Sequence, residues 1–162
     1  MTGKKISSPV ELMEIVNGFR SSKIILTAYE LGLFSILSNG KKTSSEIASV
    51  LNLNQRASDR LMNALTALGL LEKKREKFRN TSFSLKFLVK TSPAYMGGIA
   101  HIVNLWDTWD KMTDSVRAGT AILNEDKLMT GAMTGLKHLF QQCIQGRHIT
   151  QELLHHYLIL KM

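Results

Sequence analysis

The chain has 162 residues, 44% of them hydrophobic and 21% charged, a balance that excludes the highly charged, weakly hydrophobic class of chains that stay disordered. Its length suits one ordinary domain, or a compact domain with a helical extension, and is too short for two full enzyme domains. One cysteine, Cys143, excludes an internal disulfide and suits a reducing, cytoplasmic setting, while the formal charge of +8 raises the question of an anionic partner.

Near the start, Lys4 and Lys5 precede Ser7, Ser8, Pro9 and Glu11 where a secretory signal needs an apolar stretch, so no signal peptide is read. No run approaches the roughly 18 apolar residues of a membrane-spanning helix. From Pro9 to Tyr29 the sequence predicts a helix, with Ser8 as N-cap and Pro9 at the first helical position, where a missing amide donor does no harm. Leu12, Ile15, Val16 and Phe19 form one apolar face. After a polar break at 20–23, Ile24, Ile25, Leu26, Ala28 and Leu31 continue it. A helix apolar around so much of its circumference needs cover on more than one side, from its own domain and from a second subunit.

Gly32 breaks that helix, 33–37 forms a short apolar turn, and Ser38, Asn39 and Gly40 mark a loop. Thr43-Ser44-Ser45-Glu46 is a capping-box pattern, in which hydroxyl and carboxylate satisfy backbone amides reciprocally. Ile47, Val50 and Leu51 are expected to bury the helix it opens. Asn52 to Asn54 turns the chain into a second helix, with Leu61, Leu65 and Leu68 inward, Arg56, Asp59, Arg60 and Asn63 outward, and Gly69 as C-terminal cap. Leu70-Leu71-Glu72-Lys73 and Phe78-Arg79-Asn80-Thr81 follow as two short strands linked through 74–77. Helix, turn, helix, hairpin is a winged helix-turn-helix. The hairpin is basic: residues 71–90 hold seven lysines and arginines against Glu72 and Glu76, a local excess of +5.

Beyond a connector with Ser92 and Pro93, a long helix is expected from about Ala94 to Arg117, ending at Gly119. Ile99, Ile102, Val103, Trp106, Trp109 and Val116 recur at helical spacing, Leu105 and Met112 widen the stripe, and more than one side is expected to be buried. Helix-compatible stretches at 136–144 and 152–160 flank Gly146 in the remainder.

Three stretches in this order resemble the N-terminal region of the S-adenosylmethionine-dependent O-methyltransferase family, which includes plant phenolic, hydroxyindole and bacterial polyketide enzymes. They are Ala28-Tyr29-Glu30-Leu31-Gly32-Leu33-Phe34, the run from Leu61 to Glu72 containing Leu-Gly-Leu-Leu, and Phe78-Arg79-Asn80-Thr81 leading to Ser92-Pro93. The tryptophan-to-arginine-glycine stretch from Trp106 to Gly119 is also similar, and coverage extends over residues 9–119. The resemblance implies a mainly α fold: a helical dimerisation domain, residues 1–119, containing a winged helix-turn-helix with a small two-stranded β-hairpin. Residues 120–162 would then be a helical extension toward a Rossmann-like domain.

The resemblance further implies an intertwined homodimer held by the apolar helices at 9–31 and 94–118, with Leu12, Ile15, Val16, Phe19, Ile24 and Ile25 as candidate interface residues. In the family, helices after the wing form one wall of the site for a small hydroxylated aromatic acceptor. Tyr95, Met96, Trp106 and Trp109 are therefore candidate pocket residues, against the plainer reading that they pack a core. The cofactor implied for the family is S-adenosylmethionine. No Gly-x-Gly-x-Gly turn is present, and neither is a position matching the family's catalytic histidine, so this chain by itself is expected to bind no cofactor and to catalyse no methyl transfer.

His138, Cys143, His148, His155 and His156 lack metal-ligand spacing, adjacent histidines pointing to different sides of a helix, and no metal site is expected. His101 reads as a satisfied helix residue. The alternative function is a winged-helix transcriptional regulator, with Arg56, Arg60 and Asn63 entering a DNA groove beside the basic wing. Asp59 on the same face opposes it, and neither nucleic acid nor a membrane is expected as a partner.

Overall fold

The computed structural model describes residues 5–120, and it divides the chain into two compact units, Met1–Met96 and Gly97–Met162. Its described part is mainly α, with seven α-helices and a three-stranded antiparallel sheet.

Local capping rules set the first helix, α1 (Pro9–Glu30). The Ser8 hydroxyl accepts from the Glu11 amide at 3.2 Å, and the Glu11 carboxylate accepts in return from the Ser7 amide and hydroxyl, at 2.8 and 2.9 Å. Gly32, at φ +68°, ends it: a side chain there would meet the left-handed penalty, so the chain turns at Gly32 and restarts as α2 (Leu33–Ile36) and a 3-10 turn at Leu37–Asn39.

The expected capping box is complete. Thr43 accepts from the Glu46 amide at 3.2 Å, and the Glu46 carboxylate accepts from the Thr43 amide at 2.6 Å, opening α3 (Ser44–Leu51). Asn52 takes the left-handed conformation that closes α3, and the Asn54 side chain caps α4 (Gln55–Ala67), accepting from the Ala57 amide at 3.0 Å. Gly69, at φ +75°, follows α4 as expected.

The sheet departs from the expected two-stranded hairpin. Lys42–Thr43 forms a short strand, β1, before the hairpin strands β2 (Leu71–Lys74) and β3 (Lys77–Asn80), and β3 lies in the middle of the order β1-β3-β2. Lys42 pairs with Phe78 and Thr43 with Lys77, while Leu71 opposes Asn80 and Lys74 opposes Lys77. Two residues are too few to alternate visibly in sequence, and β1 exists only because β3 offers it a ladder. The hairpin link is also tighter than the expected 74–77, with Arg75 alone at positive φ.

A further helix, α5 (Ser82–Phe87), occupies what the sequence presents as part of a connector. Thr81 caps it, accepting from the Ser84 amide at 3.3 Å. The Leu70 carbonyl then receives three donors: the Thr81 amide at 3.3 Å, the Thr81 hydroxyl at 3.2 Å and the buried Ser84 hydroxyl at 2.7 Å. This fastens α5 to the corner between α4 and β2.

The core of this unit is built from Leu33, Phe34, Leu37, Ile47, Met62, Leu65, Leu71 and Phe78, all nearly inaccessible to solvent. Two burial expectations need correction. In α4 the inward residues are Ser58, Met62 and Leu65, while Leu61 is half-buried and Leu68 exposed. In α3 the buried pair is Ile47 and Ala48, with Val50 exposed. Each helix is thus rotated from the simplest leucine stripe, with small Ala48 and Ser58 among the buried residues of the packed pair α3 and α4. Asn80 is buried beside this core, its amide donating to the Phe34 carbonyl at 2.8 Å.

In the second unit, the single long helix expected over 94–117 is instead α6 (Ile99–Asp110) and α7 (Met112–Ala118), interrupted at Lys111. The first residues of the expected helix are drawn into turns around Ser92 and Pro93, and Gly97 and Gly98 disfavour helix before Ile99.

Candidate functional site

The candidate interface residues lie on α1 in the first unit, and the candidate pocket residues are divided between the two units. In α1 the helix changes character midway. Leu26, Ala28 and Tyr29 are buried where its last turns pack on α2 and α4. The first turns lack such cover: Leu12, Ile15, Val16 and Phe19 are all exposed, Ile15 at 66% and Phe19 at 55%, and Val10 and Met13 add to the same stretch. Ile24 and Ile25 are half-buried at the transition. The Arg20 guanidinium sits 5.8 Å from the Phe19 ring centroid, flanking the apolar surface with positive charge. An exposed apolar stretch of this size is the physical mark of an association surface.

Tyr95 and Met96 belong to the end of the same unit. The Tyr95 hydroxyl donates to the Tyr29 hydroxyl at 2.5 Å and the two rings are parallel, with centroids 5.8 Å apart. Met96 donates its amide to the Phe87 carbonyl at 2.8 Å while its side chain is exposed. Three further bonds tie down this connector: Lys90 amide to Ser35 hydroxyl at 3.2 Å, Ser92 hydroxyl to Lys86 carbonyl at 2.6 Å, and Ala94 amide to Ser92 hydroxyl at 3.3 Å. The Tyr29–Tyr95 pairing, across 66 positions, is what sequence reasoning missed, although both tyrosines lie in the stretches or candidate sites it singled out.

Trp106 and Trp109 lie on α6 with Ile102, at the spacing that puts all three on one face. Trp106 is half-buried, Trp109 is 62% exposed, and Ile102 is also exposed. No residue of α6 or α7 is fully buried, which corrects the expectation of several buried sides. His101, beside them, is half-buried.

Part of the polar face expected to meet DNA is engaged within the domain. The Asn63 amide donates to the Asp59 carboxylate and carbonyl, both at 2.8 Å, and accepts from the Lys73 ammonium at 3.0 Å, coupling α4 to β2. Arg79 bonds the Glu72 carboxylate across the hairpin, through its Nε at 2.7 Å and through a second guanidinium nitrogen. Arg56 and Arg60 are exposed.

Among the described residues no three His, Cys, Asp or Glu side chains are grouped to hold a metal ion, and no helix is long and apolar enough to cross a membrane. His138, Cys143, His148, His155 and His156 lie outside the described residues.

The protein family described as the O-methyltransferase dimerisation domain matches residues 13–90. Among curated relatives, the 3-hydroxy-5-methyl-1-naphthoate 3-O-methyltransferase of Streptomyces sahachiroi is 33% identical over 111 residues, which are 67% of this chain and 32% of that protein. The chain spans about a third of the length of the curated relatives it matches. Among solved structures, an O-methyltransferase family protein from Burkholderia thailandensis superposes with a TM-score of 0.68 at 25% identity, covering 87% of this chain and 45% of that one. Human N-acetylserotonin methyltransferase, in complex with SAM, gives 0.59 at 26% identity, covering 74% of this chain and 37% of that one.

Proposed function

Since residues 13–90 belong to the O-methyltransferase dimerisation domain family, we propose that this chain is the dimer-forming and acceptor-covering part of an S-adenosylmethionine-dependent O-methyltransferase. The observation that carries this reading is α1, whose first turns leave Leu12, Ile15, Val16 and Phe19 exposed in the isolated protomer while its last turns are anchored in the core. Water-exposed apolar surface of that extent is stabilised by a partner, and the family supplies the kind of partner: a second copy.

The cofactor implied by the relatives finds no cradle in the described residues. A nucleoside site of the doubly wound type needs a parallel strand, a glycine turn and a helix, and residues 5–120 instead form antiparallel strands only. No step of methyl transfer is assigned to them. Their share in an intact enzyme would be to shape the approach of a small hydroxylated aromatic acceptor, for which the exposed Trp109 ring on α6 offers a flat apolar wall. The intact protein would work in the cytoplasm.

A DNA-binding regulator is the less favoured reading, because Asp59, Asn63 and Lys73 already satisfy one another and Arg79 is paired with Glu72. Sedimentation of the full 162-residue chain at micromolar concentration tests the proposal. A dimer is expected, and a chain that stays monomeric throughout would overturn it.

A further inference from the structure

We propose that the tip of the β2–β3 hairpin is a docking surface for an acidic helix of a protein partner. This goes beyond the dimer reading and does not depend on it, since it concerns other elements of the first unit.

The strand register is the first observation. Residues 72–77 are all exposed, and Lys73, Lys74, Arg75 and Lys77 among them are cationic. Lys73 is engaged, donating to Asn63 and lying over the Phe78 ring. Lys74, Arg75 and Lys77 form no ion pair among the described residues. Lys74 stands directly opposite Lys77 at the end of the ladder, and because Phe78 points into the core, both lysines belong to the outer face. Like charges directly opposite one another weaken a strand pair. The favourable arrangement lies two residues along the same face, where Glu72 opposes Arg79 and bonds it.

The turn adds a second observation. Arg75, at φ +57°, occupies the left-handed region that suits glycine and penalises a side chain. Protection of a sheet edge from stray pairing accounts for a lysine on β2, an edge strand, but not for Lys77, because β3 is central. The hairpin therefore gathers cations at the expense of its own stability, which marks a surface kept for something outside it.

Charge complementarity selects the occupant. The Cβ atoms of a directly opposed pair stand about 4.5–5.5 Å apart, close to the roughly 5–6 Å between residues one helical turn apart, so one turn of an acidic helix can meet Lys74 and Lys77 together. Arg75 at the tip is placed for a further carboxylate. A uniformly negative phosphate backbone fits less well, because Glu72 and Glu76 share the tip and Asp59 lies on the helix that would enter a groove. A lipid surface needs apolar side chains to enter it, and residues 72–77 have none.

The test uses the 162-residue chain and a labelled helical peptide with glutamates one turn apart on one face, with mixed-sequence duplex DNA and phosphatidylserine vesicles as comparators. The peptide should bind at low salt and dissociate as salt rises. Lys74→Glu combined with Lys77→Glu should weaken it by about tenfold, whereas the equal charge change Arg56→Glu combined with Arg60→Glu should weaken it by less than about twofold. Lys74→Glu alone and Arg75→Gly alone should each weaken peptide binding yet raise the melting temperature by about 1–4 °C, since the first replaces repulsion with an ion pair and the second relieves the turn. The idea fails if the peptide does not bind, if both double variants weaken it equally, or if duplex or vesicles are held more tightly through the same residues. It fails also if both single variants lower the melting temperature, because the tip would then be serving the fold.

Discussion

Tyr95 donates its hydroxyl to that of Tyr29 at 2.5 Å with the two rings parallel, which joins the last residues of the first unit to the buried end of α1. Tyr29 is itself buried in the core, so the pair fastens the connector from Lys90 to Met96 to that core. Removing either hydroxyl should cost about 1 kcal/mol, the net worth of one hydrogen bond. In a cycle of Tyr29→Phe, Tyr95→Phe and the double variant, urea unfolding should give a double-variant loss smaller than the sum of the single losses. Strict additivity would mean that the bond contributes nothing.

Core and association surface should separate cleanly by mutation. Phe78→Ala removes a fully buried ring and should cost about 3–5 kcal/mol, and Met62→Ala about 2–5 kcal/mol, at any protein concentration. Ile15→Ala, on the exposed half of α1, should change the stability of the dilute protomer by less than about 0.5 kcal/mol while weakening self-association. Denaturation at two protein concentrations reads both effects. A concentration-independent loss at Ile15 would contradict the assignment.

Acid should loosen the start of α3. The Glu46 carboxyl is held below the ordinary glutamate range, chiefly by the hydrogen bond from the Thr43 amide, then by the Thr43 hydroxyl, with Lys77 and Lys42 adding attraction. Because the folded value is the lower one, the stabilisation is complete above the unfolded glutamate value and disappears as pH falls through the folded value. Glu46→Gln should therefore remove part of the stability difference between neutral and acid pH. Parallel pH profiles for the two proteins would show that the carboxylate does not contribute.

In a version of the protein that carries a cofactor-binding domain, Trp109→Ala should raise the KM for an aromatic acceptor several-fold, since it removes a large flat apolar surface, with a smaller effect on kcat. Equal kinetics for the two proteins would leave Trp109 with no part in acceptor binding.

The N-terminal boundary of α1, the box that opens α3, the turn at Asn52 and the glycine ends at Gly32 and Gly69 all follow from hydrogen bonds and backbone preferences within about four residues, and the sequence by itself determined them. The ordered family stretches worked in the same way, because motif residues are read directly off the chain. The tertiary structure alone decided which face of α4 points inward, where Met62 and Ser58 displaced Leu61 and Leu68, since burial depends on what the neighbouring helix presents. It also decided the existence of β1, which pairs with β3 across more than thirty residues, and the meeting of Tyr29 with Tyr95. The apolar pattern of α1 was plain in the sequence, but only the fold divided it into a half that its own core covers and a half left to a partner, because hydrophobicity records the need for cover without saying who provides it.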